Sequence, residues 1–223
     1  ISGLNGMLSV ISAFCSVGNT VLSFNPNDGG HFETSAIIRK LGLKSDYLPF
    51  DREKWEIDIE KFKEYTANNK VKIVYLDLCM VAFPVKIDKL KEAMDKNTLL
   101  IYDASHVLGL VVGGQFQNPI NEGADILISS THKTFPGTQK AIFATNRMLL
   151  KWGYDKNCDH FISHHHMAEV ASLGIILAKG KNISKNTHSI LFPIQSAYLK
   201  IFTIVILMFN LQSEVSLNHT KYG

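Results

Sequence analysis

Two short apolar runs, Leu99-Leu100-Ile101-Tyr102 and Ile126-Leu127-Ile128, constrain the fold of this chain more than any other feature. Neither alternates apolar with polar residues. A strand that is apolar on both faces has to be covered on both, which puts it in the middle of a sheet between layers of helix. Thr20-Val21-Leu22-Ser23-Phe24, Asp46-Tyr47-Leu48-Pro49-Phe50, Lys72-Ile73-Val74-Tyr75-Leu76 and Ala141-Ile142-Phe143-Ala144-Thr145 read as further strands, with Pro49 marking an edge. Between them, Leu4, Met7, Leu8, Ile11 and Phe14 recur at helical spacing across residues 3–15. Helices are also expected over 57–65, over 88–94 with Asp88 as cap, and over 161–178. This alternation predicts an α/β fold: an open, mostly parallel sheet flanked by helices, its ligand crevice beyond the strands' carboxyl ends.

Composition narrows the class. In 223 residues, 46% hydrophobic and 19% charged content excludes a disordered chain. The 23 basic residues are scattered against 20 acidic ones, so no nucleic-acid footprint is expected. Cys15, Cys79 and Cys158 form no CxxC pair, which argues against a disulfide framework or a thiolate zinc site and fits a reducing compartment. They read as small apolar core residues. The longest strongly apolar stretch, 201–209, is too short to cross a bilayer, so no membrane partner is expected. Residues 1–178 read as one domain, and 179–223 as a tail without period or repeat. Since Ile1 is no initiator methionine, the sequence is expected to start inside a longer protein.

The reactive residues collect where the two apolar runs end. The first closes Asp103-Ala104-Ser105-His106, the second Ser129-Ser130-Thr131-His132-Lys133. Thirty residues separate Asp103 from Lys133, room for a loop and one crossover helix, so both side chains should sit over one edge of the sheet. On these grounds the pair is as readily a structural ion pair as a catalytic one.

The segment Asp103-Ala104-Ser105-His106-Val107-Leu108-Gly109-Leu110, with Gly123-Ala124-Asp125-Ile126 and Ser130-Thr131-His132-Lys133-Thr134-Phe135-Pro136-Gly137, resembles the serine hydroxymethyltransferase family. The likeness runs from about residue 2 to residue 178. It implies the large domain of the pyridoxal-phosphate-dependent transferases of fold type I, incomplete at both ends, with pyridoxal 5'-phosphate as cofactor. By resemblance Lys133 is the Schiff-base lysine and Asp103 the partner of the pyridine nitrogen. A carboxylate there would be worth on the order of 5 kcal/mol to a pyridinium. His106 and His132 would lie beside the cofactor, either of them relaying a proton, and Ser130 or Thr131 would reach it through a hydroxyl. His31, after Gly29-Gly30, matches the histidine stacked on the ring, and Ser2-Gly3 matches the phosphate-binding loop at a helix start.

The chain also departs from the family. Its Ser-Ala-Tyr is Val81-Ala82-Phe83 here, its Gly-Pro-Arg-Gly-Gly is Gly137-Thr138-Gln139-Lys140-Ala141, and its Gly-Gly-Gln-Gly-Gly is Ser163-His164-His165-His166-Met167. These changes weigh against folate as a partner and suit an aldolase-like or transaldolase-like member acting on a β-hydroxy amino acid. Adjacent helical side chains diverge by about 100°, so the three histidines cannot converge on one ion, and no metal is expected. The resemblance further implies an amino-acid substrate, a homodimer and a cytoplasmic location. Two alternatives are a truncated remnant that keeps the cofactor pocket without catalysis, and another fold type I activity such as aminotransfer.

Overall fold

The structure, a computed structural model, describes residues 2–80, 83–158 and 167–179. Expectations about the 179–223 tail beyond its first residue, the start of the 161–178 helix and the three adjacent histidines lie outside these residues.

Ser2 caps helix α1 (Gly3–Phe14), its hydroxyl accepting the Asn5 amide, and Met7, Val10 and Ile11 form the buried face. The central sheet comprises β1 (Thr20–Ser23), β2 (Lys44–Tyr47), β5 (Val71–Leu76), β6 (Leu99–Asp103), β7 (Ile126–Ser130) and β8 (Ala141–Ala144), ordered β2-β1-β5-β6-β7-β8. Every neighbouring pair is parallel except β7 with β8. A separate two-stranded ribbon joins β3 (Phe50–Asp51) to β4 (Glu56–Ile57). The remaining helices are α2 (Thr34–Lys40), α3 (Ile59–Asn68), α4 (Ile87–Glu92), α5 (Leu108–Val112), α6 (Met148–Cys158) and α7 (Met167–Lys179).

The unbroken apolar runs serve two cores at once. Leu100, Tyr102 and Leu127 point to one side of the sheet, where Phe62 of α3, Leu90 of α4, Leu108 of α5 and Leu173 of α7 pack. Ile101, Ile126 and Ile128 point to the other, against Val10 and Ile11 of α1, Ile38 of α2 and Tyr154 of α6. Each large apolar side chain buried in this way contributes roughly 1.5–3 kcal/mol.

Several local expectations shift. Pro49 follows the edge strand β2 instead of lying in it, its carbonyl accepting the Asp58 amide. Helix α4 begins one residue early, because Ile87 and Leu90 are both fully buried, and Asp88 sits in its first turn without capping it. Asp88's charge there still suits the positive end of the helix. Helix α3 is capped by Asp58, whose carboxylate accepts the Lys61 amide. None of the three cysteines forms a disulfide, and only Cys158 is buried. Among the described residues no helix is long and apolar enough to cross a membrane, and no three His, Cys, Asp or Glu side chains cluster as metal ligands.

Candidate active site

Beyond the carboxyl ends of β5, β6 and β7 lies a cleft of about 290 Å³. Asp103, the last residue of β6, is fixed on both oxygens: Oδ1 accepts the Ser105 amide at 2.9 Å and Oδ2 accepts the Tyr75 hydroxyl at 2.8 Å. Ser105 Oγ accepts the Ser130 amide at 2.9 Å, tying the ends of β6 and β7 together. Past β7, Thr131 closes a loop: its hydroxyl donates to the Thr138 carbonyl at 2.6 Å and its own carbonyl accepts the Gly137 amide at 2.8 Å. Lys133 rides on that loop, and its Nζ lies 2.9 Å from His106 Nε2. Helix α5 presses on the same loop from behind, because Gly109 is bare: a Cβ there would sit 2.2 Å from the Thr134 carbonyl oxygen.

The electrostatics follow from burial. His106 is pushed down to about 4, first by burial and then by the Lys133 charge, so its imidazole is neutral near pH 7. A neutral Nε2 facing an ammonium accepts a hydrogen bond from it. His31 is also lowered, by burial first and Lys133 second. Its Nδ1 accepts the Glu33 amide at 3.3 Å, leaving Nε2 to carry the proton, and its ring stacks on Phe32 with centroids 5.0 Å apart. Asp77, directly after β5, is 3% exposed and pushed up to about 7 by burial, with Asp103 adding to the effect.

The cleft thus brings together Ser2, Gly3, His31, Asp103, His106, Ser130, His132 and Lys133. Thr131 is not on its wall; its hydroxyl is spent within the loop, so the expected hydroxyl contact falls to Ser130. Two residues escaped the sequence reading. Asp77 closes the run Lys72–Leu76 just as Asp103 closes its own, and that signal was there to be used. Tyr75 was hidden, read as one more apolar member of its strand. A larger groove of about 810 Å³ lies between the β3–β4 ribbon and α4. None of the expected site residues line it, and four of its acids pair with neighbouring lysines: Asp51 with Lys54, Glu56 with Lys86, Asp58 with Lys61 and Glu60 with Lys63. Leu78 is the wall the two share.

The family model for serine hydroxymethyltransferase matches residues 1–165. The chain belongs to the serine hydroxymethyltransferase family. Serine hydroxymethyltransferase of Methanopyrus kandleri is 36% identical over 183 residues, which cover 81% of this chain and 43% of that protein. Fluorothreonine transaldolase of Streptantibioticus cattleyicolor is 38% identical over 175 residues, 78% of this chain and 27% of that one. Among solved structures, L-threonine transaldolase from Pseudomonas fluorescens superposes with a TM-score of 0.66 at 31% identity, covering 71% of this chain and 37% of the other. The fold is therefore that of the fold type I large domain, and the chain spans less than half the length of these relatives.

Against the serine hydroxymethyltransferase pattern, Gln139 stands on the cleft wall where the family has arginine. Lys140, in place of a glycine, is buried with its Nζ 2.6 Å from Glu169 Oε2, so α7 is pinned to the loop that carries Lys133. Of the Ser-Ala-Tyr counterpart, Val81 and Ala82 lie outside the described residues and Phe83 is exposed.

Proposed function

We propose that the cleft binds pyridoxal 5'-phosphate and that the protein makes or breaks the Cα–Cβ bond of a β-hydroxy amino acid, in the manner of a threonine aldolase or transaldolase. The observation that carries this reading is the convergence of a twice-anchored carboxylate, Asp103, and an exposed amine, Lys133, on one cleft with a neutral imidazole, His106, between strand ends.

The residues fit the cofactor. Ser130 Oγ is buried on the cleft wall with no hydrogen-bond partner, an acceptor-donor waiting for one. A Cβ on Gly3 would lie 3.1 Å from Ser130 Cβ and 3.5 Å from Ser105 Oγ, so only bare backbone leaves this cradle open. The cradle is the amino end of the 12-residue helix α1, where free amides and the helix dipole favour a phosphate. Ser2, Gly3 and Ser130 would hold the phosphate end, Asp103 the ring nitrogen, His31 the ring face, and Lys133 would supply the anchoring amine. Bound there, the cofactor supplies an electron sink for a carbanion at Cα. Asp103 keeps a proton on the ring nitrogen, its orientation set by Tyr75 and Ser105. When its amine is free, Lys133 would serve as a base toward the substrate, with neutral His106 orienting that amine and exposed His132 relaying its proton. For threonine, cleavage of Cα–Cβ sends the hydroxyl proton to a base, releases acetaldehyde and leaves Cα to be protonated as glycine.

Similarity to two kinds of transaldolase, together with the loss of both hydroxyls at Val81 and Phe83, favours an aldehyde over folate as the one-carbon or two-carbon partner. A homodimer in the cytoplasm completes the reading. The test begins with the purified chain and pyridoxal phosphate: a visible absorbance band is expected, and Lys133→Ala should lose it. Threonine should then release acetaldehyde without tetrahydrofolate. Absence of the band overturns the cofactor assignment, a band without any turnover favours the non-catalytic alternative, and release that requires serine and tetrahydrofolate overturns the transaldolase reading.

A further inference from the structure

We infer that Asp77 is a positioning residue that holds His31 against the cofactor, acting through two main-chain amides. Asp77 follows β5 and is almost completely buried on the cleft wall. Its Oδ1 accepts the Phe24 amide at 2.9 Å, and the His31 amide is shared between its Oδ2 at 3.2 Å and its main-chain carbonyl at 3.1 Å. Phe24 leaves the end of β1, and His31 is the first residue past the Gly29-Gly30 turn. One carboxylate therefore closes the loop at its entry and its exit. The rest of the loop is strapped to the same segment: the Gly29 carbonyl accepts the Cys79 and Met80 amides, and Gly30 bridges to Leu78. Those straps hold the glycines, and the Asp77 carbonyl shares the His31 amide, while the Asp77 side chain reaches both flanks.

The choice of acid over amide has a physical reason. Two N–H donors need two acceptor oxygens, and asparagine would offer one oxygen and set an NH₂ group against the second donor. A second acid in a cleft that already holds Asp103 is electrostatically unfavourable in its charged form, so its presence points to a geometric task for its two oxygens. With its backbone fixed at the amide, and its Nδ1 accepting from Glu33, the His31 ring has little freedom left. The loop clamp stands on hydrogen bonds alone; its consequence for ring stacking rests on the pyridoxal-phosphate reading above.

The experiment separates the two. Amide hydrogen exchange is measured on the chain without cofactor, in wild type and Asp77→Asn. Exchange at Phe24 should quicken about tenfold or more, and at His31 by less because the Asp77 carbonyl still accepts that amide, while Leu100 and Ile101 in β6 stay protected. Unchanged exchange at both amides overturns the clamp whatever the cofactor does. Should Asp77→Asn fail to fold, Asp77→Glu, which keeps the charge but moves the oxygens by one methylene, should fold and show a smaller acceleration at the same two amides; no acceleration there counts against the clamp. Pyridoxal-phosphate affinity is then titrated in wild type, Asp77→Asn, His31→Ala and the double variant. Asp77→Asn should weaken binding about tenfold in the wild-type background and less than about twofold in His31→Ala. Equal losses in both backgrounds would show that Asp77 acts otherwise than through His31. If even the wild type fails to bind, the cofactor reading falls while the exchange result still judges the clamp.

Discussion

Tyr75 illustrates how a single hydroxyl can govern chemistry it never touches. The side chain is fully buried, its phenol held well above the usual range by burial and then by Asp103, so it remains a donor at any working pH. Removing the hydroxyl in Tyr75→Phe leaves Asp103 with one anchor, the Ser105 amide. The expected result is a stability loss of about 1 kcal/mol and a drop in turnover larger than the drop in cofactor affinity, read by denaturant unfolding and kinetics. His106 offers a second check. Because Lys133 helps to depress it, Lys133→Met should move its NMR titration midpoint up from about 4 toward 6.5. Asp77 gives the pH dependence. Its folded value of about 7 lies above the unfolded carboxylate value, so the native state binds the extra proton and stability falls as pH rises from about 4 to about 7. The stability of wild type minus that of Asp77→Asn should decline across that window, by no more than about 4 kcal/mol, and level off above it. Of these residues, Asp103, Lys133 and His106 were legible in the sequence because polar groups that end an apolar run stand out. Tyr75 was not, since a tyrosine inside such a run looks like packing and only the neighbouring strand reveals the acid its hydroxyl meets.

Among the elements, α5 has the greatest leverage for its size. It has five residues, and Gly109 within it lets the backbone close on the Thr134 carbonyl. Gly109→Ala forces that contact apart. The expected cost is about 1–3 kcal/mol in stability, with weaker cofactor binding because Lys133 moves with the loop; calorimetry and titration read both. Helix α5 was foreseen only as a crossover helix between Asp103 and Lys133, without its bounds. With fewer than two turns it shows no apolar period, and the same brevity hid α2 and the β3–β4 ribbon. Helix α6 was missed for another reason: Met148, Leu149 and Trp152 are exposed, so its apolar residues do not mark the face packed on α1. The inner strands β1, β5, β6 and β7 were read well because each carries residues for both cores, whereas the edge strand β2 carries none and runs over 44–47 instead of 46–50.

For the molecule as a whole, the two cores lie on opposite sides of the sheet, and the cleft opens where the sheet stops. A ligand that spans the ends of β5, β6 and β7 and the start of α1 ties both layers together. Pyridoxal phosphate at a hundred times its dissociation constant should therefore add about 2.7 kcal/mol to global stability, seen as a rise in the thermal midpoint that Lys133→Ala diminishes.

The strand pairing has one more consequence. Tyr102 lies beside Leu127 and Asp103 beside Ile128, with successive side chains on opposite sides of the sheet. Were β6 to assemble one position out of step, Asp103 would face the wrong layer and an apolar ring would take its place. On the proposed cofactor reading, a chain put together that way would stay colourless when mixed with the vitamin. Tint in a growing culture or a column fraction would then report correctly threaded molecules, a proofreading signal that comes with the architecture.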